Sequence, residues 1–159
     1  MQAMERPITR FGHDDTGDWI ATLSCGHLQH VRHIPPFINR SWVTTEQGRK
    51  SKIGRALNCV RCDKFELPNG FVTYKKTPIF TEESLPAGLK NDHSTKAGIW
   101  AKIIVTEGKL RYRVDTLGTD VELSLDKFGI VVPEVLHSIE PLGTVHFFVE
   151  FYKKPDHFA

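Results

Sequence analysis

Short apolar runs and apolar–polar alternation organise this chain. Trp19-Ile20-Ala21-Thr22-Leu23 is β-compatible, and with Pro7 to His13 it flanks the turn Asp14-Asp15-Thr16-Gly17. That arrangement predicts a β-hairpin. Pro35-Pro36 breaks any element there. Thr44 or Thr45 is placed to cap a short helix from Glu46 to Gly54, although Gly48 inside it weakens the helix. Lys64 to Gly70 reads as a linker or turn.

Beyond that linker the pattern changes to strands and turns. Ile99 to Val105 is strongly apolar, and Thr106-Glu107-Gly108-Lys109 predicts a turn. Leu110-Arg111-Tyr112-Arg113-Val114 then alternates with period two, one face apolar and the other cationic. Val121 to Leu125 alternates in the same way. Gly129 to Pro133 reads as a buried strand, His137 to Ile139 as a short one, and Pro141-Leu142-Gly143 as a turn before the last strand, Val145 to Tyr152. Many short strands with turns every eight to twelve residues predict a β-sandwich or barrel. The fold expected is mainly β: a small zinc-ribbon-like module over 1–68, then a cupin-type jelly-roll barrel over 69–159.

Composition narrows the class. Of the 159 residues, 40% are hydrophobic and 25% charged, as in soluble globular proteins. No apolar run is long enough for a membrane-spanning helix, and the start, Met1 to Pro7, lacks the apolar core of a signal peptide. A cytoplasmic protein with no membrane partner is therefore expected. The net charge of +2 is too small to demand a nucleic-acid partner. Charge is uneven, +3 up to Gly70 and −1 thereafter. The cationic excess gathers in Arg49, Lys50, Lys52 and Arg55, with Arg32 and Arg40 nearby, and reads first as a solvated face.

The three cysteines carry the clearest chemistry. Cys25-Gly26-His27 and Cys59-Val60-Arg61-Cys62 supply three thiolates and an imidazole, the closed four-ligand set of a structural zinc site. His30 and His33 are alternatives to His27 as the fourth ligand. The run around these pairs resembles a family of small bacterial domains of unknown function. It comprises Cys25-Gly26-His27-x-Gln29-His30-Val31-Arg32-His33-x-Pro35-Pro36, Arg40-x-Trp42-Val43-x-Thr45-x-x-Gly48-Arg49, Gly54 and Cys59-x-x-Cys62-Asp63. The resemblance implies a zinc-ribbon-like module and no reaction.

A second resemblance covers about Tyr74 to Pro155. Pro86-Ala87-Gly88-Leu89, His93-x-Thr95-Lys96-x-Gly98-x-Trp100, Glu107-Gly108-x-Leu110, Pro133-x-x-x-His137-x-Ile139-Glu140-Pro141-Leu142-Gly143 and Val149-Glu150-Phe151-Tyr152 are similar to the TehB/YeaR-like cupins associated with tellurite resistance. A standard cupin carries His-x-His and a glutamate on its first motif. Here those positions fall near Ser94 to Ala97 and at Ala101, so the usual set is missing. A second divalent metal would need His93, His137 and a third group, for which Glu150 is the candidate. Lys96 and His146 are candidate ligand contacts. The tellurite-methylating activity is not carried over, because in such proteins it belongs to a separate methyltransferase domain. This chain shows no Gly-x-Gly loop after a strand.

The function expected from these features is metal and small-molecule binding in a bacterial stress response, with a small-molecule or oxyanion ligand. By analogy with cupins a homodimer is expected. The alternative is a two-domain regulator whose zinc module binds nucleic acid or protein while the barrel senses a ligand.

Overall fold

A computed structural model describes residues 4–155. Met1 to Ala3, on which the signal-peptide reading partly rests, lie outside the described residues. The chain divides into two compact units at the 61/62 bond.

The first unit is built on a four-stranded antiparallel sheet in the order β3-β2-β1-β4. Its strands are β1 (Met4–His13), β2 (Trp19–Leu23), β3 (Leu28–His30) and β4 (Ala56–Cys59). β1 and β2 form the expected hairpin, with Phe11 opposite Ala21 and His13 opposite Trp19. The Asp14 carboxylate accepts from the backbone N–H of Thr16 and Asp18, which closes the turn. The one helix of length, α1 (Glu46–Lys52), starts where Thr45 accepts from the Gly48 N–H at 3.0 Å. Ile8, Ala21, Leu23, Val31 and Val43 form the buried centre of this unit. The chain then makes one helical turn, α2 (Val60–Asp63), directly after β4.

The second unit is a six-stranded antiparallel sheet system. Its strands are β5 (Val72–Lys76), β6 (Phe80–Thr81), β7 (Trp100–Val114), β8 (Thr119–Leu123), β9 (Gly129–Val131) and β10 (Ser138–Lys153), with the short helix α3 (Ala87–Lys90) between β6 and β7. Two expected turns are not turns. Thr106 to Lys109 lies inside the fifteen-residue β7, and Pro141 to Gly143 lies inside the sixteen-residue β10. The two strands pair with each other along most of their length, from Ser138 opposite Arg113 to Tyr152 opposite Trp100. The turn-forming residues instead absorb register shifts between Pro141 and Val145 and between His146 and Phe147. Gly108 is needed there. Its φ is +78°, and a Cβ on it would lie 1.9 Å from the Thr144 carbonyl oxygen.

Period two along β7 and β10 puts Ile103, Val105, Leu110, Tyr112 and Val114 into the core with Ile139, Val145 and Phe147. Trp100 and Phe147 are fully enclosed. No helix among the described residues is long and apolar enough to cross a membrane.

Candidate functional site

The two cysteine pairs come together. Cys25 and His27 sit on the turn after β2, which closes with the Gly26 N–H donating to the Leu23 carbonyl. Cys59 ends β4, and Cys62 follows on α2. All four side chains are buried, and their ligand atoms lie within 4.8 Å of one another. Cys25 Sγ is 3.8 Å from Cys59 Sγ, and His27 Nδ1 is 3.3 and 3.2 Å from these two sulfurs. Burial pulls the His27 pKa down, but the sulfurs of Cys25 and Cys59 outweigh it and lift it to about 9. The cluster therefore attracts positive charge, which a proton or a metal ion can supply.

His30 and His33 are occupied elsewhere. His30 Nε2 lies 2.8 Å from an Asp14 carboxylate oxygen, and His33 Nδ1 accepts from the Arg40 N–H at 2.9 Å. His27 is thus the imidazole at the cluster. Its chemistry and spacing fit a metal such as zinc.

A cavity of about 510 Å³ opens in the second unit. Phe80, Leu89, Ile99, Ile103, Val149 and Phe151 supply apolar walls, and His93, His137, Ser94, Thr95 and Lys96 a polar side. His93 and His137 face each other as an isolated β-bridge, with reciprocal backbone hydrogen bonds of 3.0 and 2.9 Å. Their ring centroids are 4.0 Å apart. His137 is 4% exposed. Burial, and then the neighbouring His93, push its pKa down to about 4.

The rest of the expected metal set does not join these histidines. Val149 and Phe151 line the cavity, so strand alternation turns Glu150 to the opposite face, where it accepts from the Tyr152 hydroxyl at 3.1 Å. His146 points the same way as Glu150 and pairs with Glu107 at 2.9 Å. Lys96 does reach the cavity. Among the described residues, the one group of three or more metal-type side chains is the cysteine cluster. The expected second divalent metal is corrected accordingly, because two histidines without a third ligand do not make a site.

The remaining cations have partners of their own. Arg49 lies 3.9 Å over the Trp19 ring and donates to the Val43 carbonyl, and Lys50 pairs with Glu46. Arg111 grips Asp120 with two hydrogen bonds of 2.8 and 2.6 Å on the exposed face. Sequence reasoning missed Tyr74, Phe80, Leu89 and Phe151 as cavity residues. Leu89 and Phe151 carried a signal, both in the runs of the second resemblance and Phe151 also through its place in the period of β10.

Comparison with known proteins now places these units. Residues 9–66 match the family described as "Protein of unknown function (DUF3565)", and residues 75–149 match the family described as "TehB-like domain". The chain is a DUF3565 domain followed by a TehB-like domain.

Among relatives, it is 29% identical over 100 residues to the "Probable S-adenosyl-L-methionine-dependent methyltransferase TehB" of Haemophilus influenzae Rd, covering 58% of this chain and 35% of that protein. It is 24% identical over 105 residues to the "Uncharacterized protein YeaR" of Escherichia coli O157:H7, covering 57% of this chain and 85% of that one. The chain thus spans about a third of the TehB relative's length. The crystal structure of H. influenzae TehB superposes with a TM-score of 0.50 and 27% identity, over 54% of this chain and 32% of that one. A crystal structure of an E. coli K12 protein gives 0.53 at 21% identity, over 59% and 92%, and supports the fold alone.

These findings overturn the function expected from sequence. The TehB relatives carry the name of a methyltransferase, so the metal-binding stress protein and its regulator alternative are both set aside.

Proposed function

We propose that this chain serves S-adenosylmethionine-dependent methyl transfer from the acceptor side. The observation that carries the reading is one of location: the segment similar to TehB, residues 75–149, supplies all the cavity's lining residues except Tyr74 and Phe151. We read that segment as a cupin-type jelly roll whose interior holds the methyl acceptor.

The methyl donor itself does not suit this cavity. S-adenosylmethionine carries a sulfonium and an ammonium cation and a ribose diol, which call for carboxylates. The lining contains Lys75, Lys96 and two histidines and no Asp or Glu. The donor is therefore assigned to a partner methyltransferase, and this chain's residues hold and orient the acceptor.

In the first module, Cys25, His27, Cys59 and Cys62 would hold a structural zinc ion. The ion would supply the stability that a small core lacks, in a compartment where thiolates stay reduced, the cytoplasm.

Equilibrium dialysis of the purified full chain against tritiated S-adenosylmethionine tests the assignment. No saturable binding is expected. Saturable binding lost on Leu89→Trp, which adds bulk to the cavity lining, would place the donor in this cavity and overturn the acceptor-side reading.

A further inference from the structure

The two cavity histidines have one ring edge spoken for and one edge open. His137 Nδ1 lies 3.3 Å from the Val135 carbonyl, and His93 Nδ1 lies 3.0 Å from the Asn91 carbonyl. A carbonyl oxygen only accepts, so each Nδ1 carries the hydrogen and each neutral ring keeps its lone pair on Nε2. Among the described residues no protein donor meets Nε2 of His137, although the side chain is almost completely buried and lines the cavity. Burial keeps this imidazole neutral at neutral pH. A cavity with apolar walls thus offers this acceptor on its polar side, with no carboxylate in its lining. Nε2 of His137 is not among the sealed side-chain atoms that lack a partner, so it is open to the cavity, and a ligand that displaces water from it must bring a donor in its place.

We propose that the cavity takes a phenol: a flat apolar body carrying one O–H that donates to Nε2 of His137. Phe80, Ile103, Val149 and Phe151 provide the apolar walls, and the volume of about 510 Å³ suits one or two rings. A phenolic O–H is a stronger donor than an alkanol and far stronger than a thiol, which favours it for the imidazole acceptor of His137. The proposal rests on the acceptor-side reading only for the ligand's role as a methyl acceptor. Binding itself stands apart from that reading.

The test is a fluorescence titration of the purified full chain with 2-naphthol and with 2-methoxynaphthalene, its methyl ether. The ether has the same rings and lacks the donor. Naphthol is expected to bind at least about tenfold more tightly. His137→Phe should bring the two affinities together, His137→Gln, which keeps an acceptor oxygen, should preserve part of the difference, and Leu89→Trp should weaken both. Equal affinities in the wild-type chain, or no saturable naphthol binding, would overturn the proposal. Should His137→Phe fail to fold by circular dichroism, the wild-type comparison and Leu89→Trp still decide it. Naphthol binding together with a methyl-transfer assay that ignores the chain would sink the acceptor-side reading and leave this one standing.

Discussion

Cys25 Sγ and Cys59 Sγ, 34 residues apart in sequence, lie 3.8 Å from each other. Four thiolate and imidazole ligands around zinc, with Zn–S near 2.3 Å, require sulfur–sulfur edges of about 3.8 Å. The distance between these sulfurs, one on a β-turn and one at a strand end, matches one edge of such a tetrahedron. Elemental analysis should find one zinc per chain in the wild type and none in Cys62→Ala. Chelation should also open residues of the first unit to trypsin, because binding energy at such a site is folding energy. Chelated protein that stays resistant would show that the cluster needs no ion.

The buried His137 predicts a pH dependence. Burial, helped by His93, holds the His137 imidazole at about 4, against 6.5 for an unperturbed one. As the pH falls, the unfolded chain binds that proton first, so the unfolded state gains. The stability contributed by the neutral ring is whole above 6.5 and is lost as the pH drops from 6.5 towards about 4. That gap corresponds to roughly 3 kcal/mol. Urea unfolding at about pH 7 and about pH 4.5 should show a larger stability loss for wild type than for His137→Gln. Equal losses would mean that the histidine is not buried in the neutral form.

Two glycines predict the opposite of what propensity alone suggests. Alanine in a helix is normally more stable than glycine by about 1 kcal/mol. In α1, a Cβ on Gly48 would meet the Trp42 carbonyl oxygen at 2.1 Å, so Gly48→Ala should lower the melting temperature. Gly108→Ala should cost more, about 2 kcal/mol or above, since it adds a left-handed φ of +78° to a collision with the Thr144 carbonyl. Thermal melts of both variants check the order, and an unchanged midpoint for Gly108→Ala would contradict the register assigned to β7 and β10.

Phe147 is fully enclosed and packs 5.6 Å from the Phe80 ring beside the cavity. Phe147→Ala should cost about 3–5 kcal/mol. Thermal melts under the same buffer measure it, and a loss below about 1 kcal/mol would show that the second unit's core lies elsewhere.

Local pattern carried a good deal of this fold. The hairpin around Asp14 to Gly17 follows from residues close in sequence, whereas the cap at Thr45 rather than Thr44, and His27 rather than His30 or His33 at the cysteine cluster, are settled only by the fold. The bends at Gly108 and Gly143 did not. A glycine that relieves a close backbone approach inside a long strand has the same sequence signature as one in a turn. The facing of Glu150 was also misjudged, because strand alternation gives two faces and does not say which one meets the cavity. Val149 and Phe151 decide that only once β10 is seen beside β7. The cavity walls from Tyr74, Phe80 and Leu89 come from separate segments, and nothing in a one-dimensional pattern brings such segments together.

If the chain supplies the acceptor side of a methyl transfer, labelled product in a cell extract depends on it. An extract of cells deleted for this protein is given tritiated S-adenosylmethionine, and labelled small-molecule product is counted with and without added purified chain. The product should fall on deletion and return with the wild-type chain but not with Leu89→Trp. Labelled product that is unchanged by deletion and by add-back would contradict it.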